Sequence, residues 1–218
     1  VVAHLKHFCG DKLADVKLIY SDRAPEFIRA AFELNIPFQG SAPGVPQSNG
    51  YIEARIKLIE EGARCGLVGA GLPPVFWTLA ASHHCHAHNI AVRNGTSPWE
   101  LRFGEPFPGE SIPLGASIVY RPPTTTKDRS QLAKSEPQVI GGIFIGYELG
   151  YGHNWAHIYV VAPLDGLGDM CLHPQSGVTA RKLRPQQVER ARLTNSSPIT
   201  FPLQERYHLS RFAVDGMN

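Results

Sequence analysis

Hydrophobic positions along the chain change their spacing several times, and each change marks an element. Leu5 and Phe8 fall on one side of a helical pattern over residues 1–8, which Gly10 and Asp11 end. Residues 16–20, Val-Lys-Leu-Ile-Tyr, are short, apolar and partly β-branched, and predict a buried strand that stops at Ser21-Asp22. Pro25-Glu26 then open a helix expected to reach Leu34, since proline suits a first turn and glutamate suits the positive end of the helix dipole. A second short strand is expected over residues 36–41.

Pro43, Gly44, Pro46 and Gly50 make residues 42–50 a loop, and a mobile one, because neither helix nor strand accommodates such a run. Helical spacing follows over residues 51–67. Ile52, Ile56 and Ile59 share one face, and Glu53–Lys57, Lys57–Glu61 and Glu60–Arg64 are opposite charges one turn apart. Further helices are predicted over residues 74–89 and from Thr96-Ser97-Pro98, with Thr96 as the cap. Residues 65–82 are almost free of polar groups, but Pro73-Pro74 and several glycines interrupt them. They read as a helix end, a turn and a new helix start rather than a membrane span.

Beyond residue 110 the texture becomes β-rich. Strands are predicted over 117–120, 140–147, 157–162 and 177–183, separated by glycine-rich turns and by an exposed loop over 121–138. From Arg190 no periodicity is sustained, so residues 190–218 are expected to be an irregular tail. The division expected is residues 1–110, residues 111–189 and that tail.

Composition adds bounds. The 218 residues suffice for one large or two small domains, and the 43% hydrophobic fraction supports a buried core. A net charge of +2 argues weakly against strong unaided binding to nucleic acid, which usually needs a basic excess. Cys9, Cys65, Cys85 and Cys171 form no C-x-x-C pair and are expected to be reduced thiols of an intracellular protein. Val1-Val2-Ala3-His4 has no basic run followed by an apolar one and is not expected to begin a signal peptide.

Two acidic residues occupy special places. Asp22 stands where the first predicted strand ends, and Glu53 stands on the first turn of the helix after the loop. Carboxylates at strand ends can converge on hard divalent cations, and two such ions suit in-line attack on a phosphodiester. An aspartate after a strand is also commonly a turn or cap residue, and spacing alone leaves both meanings open.

The surrounding residues carry a resemblance. Ile19-Tyr20-Ser21-Asp22, followed by Glu26-Phe27, resembles the second-aspartate motif of retroviral and retrotransposon integrases. Pro46-Gln47-Ser48-Asn49-Gly50-Tyr51-Ile52-Glu53 resembles the P-Q-x-N-G segment that leads to their catalytic glutamate, and Glu61-Gly62-Ala63-Arg64 recurs at the usual offset. Leu72-Pro73, Phe76-Trp77, Asn89, Thr96-Ser97-Pro98-Trp99-Glu100 and Gly104-Glu105-Pro106 look like the tail of copia-type integrases. Gly142-Ile143-Phe144-Ile145-Gly146-Tyr147 is similar to the G-x-F-x-G-Y strand of the domain that follows there, and Val178-Thr179-Ala180-Arg181 resembles a later strand.

This resemblance, over about residues 1–185, implies an α/β fold: a partial ribonuclease H-like core, then a small β-rich, barrel-like domain. It implies metal-dependent 3′-end processing and strand transfer of element DNA into target DNA, in the nucleus and without a membrane. A homo-oligomer is implied for the full-length protein. Asp22 and Glu53 would be two of three catalytic carboxylates binding magnesium or manganese. Gln47, Ser48 and Asn49 of the active-site loop, with Lys57 and Arg64 of the Glu53 helix, would contact DNA.

Departures from the family pattern shape the expectation. The family's first catalytic aspartate lies on a strand well before the second, whereas Asp11 and Asp15 lie in the turn leading into the strand. This chain alone is therefore expected to hold a metal pair badly, to expose an unpaired edge and apolar face, and not to be an active enzyme by itself. Arg23-Ala24-Pro25, Ala54 and Ile56 also replace family residues. A non-catalytic remnant, or a module reused for nucleic-acid or protein binding, is the alternative, and an unrelated α/β domain is a third reading. His83, His84, Cys85, His86 and His88 suggest a zinc cluster but read more simply as helix residues, some buried and some solvated. Tyr147, Tyr151, Trp155 and Tyr159, with His153 and His157, suggest a base-stacking platform but read more simply as the core and rim of a small barrel.

Overall fold

The computed structural model describes residues 1–42, 50–124, 126, 137–164 and 184–204. The protein is mixed α/β and divides into two compact units, Val1–Leu58 with Leu149–Ala156, and Ile59–Glu148 with His157–Asn218.

In the first unit, helix α1 (Val2–Cys9) stops at Gly10, whose φ of 58° suits glycine, and a 3-10 segment continues to Asp15. A side chain at Gly10 would also come within 2.5 Å of the Gly152 Cα. Phe8 packs edge-on to His153 at 4.6 Å. Strand β1 (Ile19–Ser21), helix α2 (Pro25–Glu33) and strand β2 (Phe38–Gly40) form a β-α-β unit, with β1 and β2 parallel and Ser21 opposite Gly40. Pro25 opens α2 as its spacing predicts, and the observed strands are shorter than the predicted ones.

Helix α3 (Gly50–Ala70) runs through the unit boundary, so Glu53 and Lys57 belong to the first unit and Arg64 to the second. In the second unit α3 ends before Gly71, at φ 70°, and Pro73-Pro74 lead through a 3-10 turn into helix α4 (Trp77–Ile90). Among the described residues no helix is long and apolar enough to cross a membrane. Helix α5 (Pro98–Phe103) is capped by Ser97, not by the expected Thr96. The Ser97 hydroxyl accepts the Glu100 N–H at 3.1 Å, while Thr96 donates to the Glu100 carboxylate. A cap must precede the first helical residue directly, and proline at Pro98 fixes that position.

Five strands follow: β3 (Ser117–Tyr120), β4 (Ile140–Leu149), β5 (Trp155–Pro163), β6 (Gln186–Val188) and β7 (Ala191–Leu193), ordered β6-β5-β4-β3-β7. The first three match expected strands, the fourth expected strand at 177–183 lies outside the described residues, and β7 falls in the stretch expected to be irregular. The β-rich expectation holds in part: the sheet is antiparallel and is not closed into a barrel. Its shape is still constrained. Strands β6 and β7 lie at opposite edges, yet only Glu189 and Arg190 join them. Three Cα steps reach at most about 11 Å, whereas the outer strands of a flat five-stranded sheet lie about 19 Å apart. The sheet must therefore curl until its edges approach. The three-residue edge strands leave the seam without a ladder of backbone hydrogen bonds.

The main core lies in this unit. Leu67, Leu72 and Phe76 from the helical side pack with Ile143, Ile145 and Leu203.

Candidate functional site

Parallel pairing of β1 with β2 sends both strands out at the same end of the pair, after Ser21 and Gly40. Asp22 is the first residue beyond β1 and is exposed. Its neighbour Ser21 donates its hydroxyl to the Asp22 carbonyl at 2.7 Å, and the Ser21 carbonyl accepts the Ser41 N–H at 2.9 Å. The chain leaving β2 reaches α3 through residues 43–49, so the expected loop contacts Gln47, Ser48 and Asn49 lie outside the described residues. Glu53 stands on the first turn of α3, exposed and favoured there by the positive end of the helix dipole.

Asp22 and Glu53 thus belong to one compact unit, one at a strand end and one at a helix start. Carboxylate oxygens are the right donors for a hard divalent cation, which would take its remaining ligands from water or phosphate. Among the described residues no group of three acidic, histidine or cysteine side chains converges. Lys57 and Arg64 are exposed on α3, and Arg64 pairs loosely with Glu60 at 3.8 Å.

Pattern reading attached no role to Arg23 beyond a departure from the family. Its Nε donates to the Ser41 carbonyl at 3.4 Å, and its side chain lies on Gly40, where an added Cβ would come within 2.7 Å. Arg23 therefore ties the exits of β1 and β2 together and sets a positive charge one residue from Asp22. The signal available in sequence was a glycine at the end of the second strand, which is uninformative before the register is known.

A second polar–aromatic cluster lies in the other unit. The histidines of α4 face different neighbours. His83 donates Nε2–H to the Ile112 carbonyl at 3.0 Å, and His86 is buried against Trp99, Phe107 and Tyr147. His84 fills the space over Gly62, and His88 accepts from Arg93 at 2.7 Å. The Tyr147 hydroxyl donates to the Glu110 carbonyl at 2.7 Å and accepts the Ile112 N–H at 2.9 Å, while Tyr159 accepts the Glu110 N–H. Desolvation by burial lowers the His83 pKa below its usual value, against the pull of the Ile112 hydrogen bond, and burial raises those of Tyr147 and Cys85. These tyrosines pin the segment that leads into β3, and their hydroxyls are spent on backbone groups. Tyr151, in the first unit, is 57% exposed, and Trp155 there is buried.

No protein-family model matches the chain, and no match is found among curated proteins or among solved structures.

Proposed function

We propose that the first unit belongs to an integrase-type catalytic core of ribonuclease H-like fold, with Asp22 and Glu53 as two of three carboxylates that hold magnesium or manganese. The observation that carries this reading is the parallel register of β1 and β2. Asp22 and the exit of the chain that leads to Glu53 lie at one end of the strand pair, where α/β sheets collect functional groups. The resemblance of the motifs around both residues supports the same reading.

In this scheme the Asp22 and Glu53 carboxylates bind and orient. The divalent ion supplies activation of the attacking water or DNA hydroxyl and stabilisation of the departing oxygen. Lys57 lies one turn beyond Glu53 on α3 and offers a charge to a DNA phosphate. Arg64 leaves Glu60 at little cost, because an exposed pair is worth about 0.3–0.5 kcal/mol. Gln47, Ser48 and Asn49 precede α3 in sequence, and the resemblance assigns them to the same DNA. DNA is the partner, the nucleus is the place of action, and the full-length protein works as a homo-oligomer.

The test is calorimetric titration of manganese into the chain and into Asp22→Asn and Glu53→Gln. Each substitution is expected to weaken binding about tenfold or more, since even outer-shell changes cost that much. Equal manganese affinity in all three proteins contradicts the reading and leaves a non-catalytic binding module.

A further inference from the structure

Pairing of β3 with β7 at one edge of the five-stranded sheet gathers three arginines. Burial alternates along the extended chain at β7: Arg190 exposed, Ala191 buried, Arg192 exposed. On β3, Val119 is exposed and Tyr120 buried. Val119 stands opposite Arg192 and Tyr120 opposite Ala191. The ladder continues one step further, where the Arg121 N–H donates to the Arg190 carbonyl at 3.3 Å. Arg121, Arg190 and Arg192 therefore project from one outer face of the sheet. Arg190 and Arg192 are about 7 Å apart along it.

Two adjoining concavities open on this face. One, of about 420 Å³, is walled by Arg121, Pro122, Thr124, Gln187, Glu189 and Arg190, between the segment after β3 and the end of β6 with its link to β7. The other, of about 480 Å³, has Arg121, Arg190 and Arg192 around a floor that includes Val119 and Val139. Arg121 and Arg190 are common to both.

Like charges placed opposite each other on neighbouring strands repel. Among the described residues none of these three arginines forms an ion pair with a carboxylate, and the single acidic wall residue is Glu189. Three guanidinium groups carried by neighbouring positions of one strand ladder, with Glu189 the acid beside them among the described residues, concentrate positive charge on this face. Their planar forks match phosphate oxygens in pairs, and strand register has already set their spacing. A near-neutral chain that concentrates its cations this way needs no overall basic excess to bind phosphate locally.

We infer that this arginine face binds phosphate groups, supplied by a nucleic-acid backbone or by a free phosphate. The inference is independent of Asp22, Glu53 and their metal, so the experiment is run in a chelator that removes the metal, and the DNA contacts proposed for Lys57 and Arg64 are the same in the proteins compared.

Fluorescence anisotropy with a labelled single-stranded oligonucleotide of mixed sequence, across a salt series, compares the whole chain with the triple variant R121A/R190A/R192A. The triple variant is expected to bind more weakly, with a logarithmic salt slope shallower by about 2, since each lost phosphate contact removes about 0.7. Phosphorus NMR of inorganic phosphate forms the second arm. Broadening that the triple variant abolishes, with oligonucleotide binding unchanged, assigns the site to small phosphates instead. The single Arg192→Glu variant guards against misfolding, because its outward side chain should leave the melting temperature unchanged while weakening whichever ligand binds. Unchanged oligonucleotide affinity and salt slope, together with unchanged phosphate line width, overturn the inference.

Discussion

The two units of this chain are built on different physics. The second buries Leu72, Phe76, Ile143 and Ile145 to 1% exposure or less, in one core shared by two helices and a sheet. Among the described residues of the first, which carries both candidate carboxylates, the buried apolar side chains are Ala30, Ala31 and Trp155, and Phe32 is 86% exposed. Phe27, Ile28, Ile52 and Ile56 are exposed there as well. Its two strands pair over three residues each, and Pro25 opens α2. Parallel strands are usually buried on both faces, and a two-stranded sheet alone is marginal. The comparison teaches that the positions proposed to hold a metal lie apart from the main apolar core, so a substitution can harm one and spare the other.

The largest contrast should come from matched truncations. Phe76→Ala is expected to cost about 3–5 kcal/mol in urea unfolding, through lost burial and the cavity left behind. Phe32→Ala is expected to stay within about 0.5 kcal/mol. Equal costs at the two sites would erase the distinction between the units.

A smaller effect tests the helix start in the second unit. Ser97→Ala removes the acceptor of the Glu100 N–H and should cost about 1 kcal/mol. Thr96→Ala should cost clearly less, because its hydroxyl meets only the Glu100 side chain. The reverse order in thermal melts would restore Thr96 as the cap.

The finest test is pH. Burial holds the His83 pKa below its usual 6.5, so the unfolded chain takes up the proton first as pH falls. The stability that neutral His83 confers is complete above about 6.5 and is lost as the pH drops through that value toward the folded pKa. His83→Gln keeps a donor for the Ile112 carbonyl and removes the titration. The variant should lose less stability between pH 7 and pH 5 than the parent chain, and an identical loss would show that His83 is not responsible.

Local elements were legible where several cues agreed. The β-branched run at 117–120 is β3, and the isoleucine spacing with its flanking charges marks α3. The proline-interrupted apolar stretch is the turn between α3 and α4. Legibility failed where the deciding partner was distant. Strands β6 and β7 hold three residues each, too few for a period to emerge, and only their pairing with β5 and β3 makes them strands. The curled but open sheet follows from a two-residue link between opposite edges, which no pattern along the chain announces. For the site, the types and order of Asp22 and Glu53 stood out in sequence, while Arg23 on Gly40 became visible only with the register of β1 and β2. The arginine face depends likewise on the offset between β3 and β7.

The central claim is that Asp22 and Glu53 serve one metal ion, and paramagnetic NMR tests it most directly. Manganese added at a small fraction of the protein concentration should broaden the backbone amides around both residues together, and Glu53→Gln should weaken the broadening at Asp22 as well. Broadening at only one of the two, or at Asp22 regardless of Glu53, would contradict a shared site.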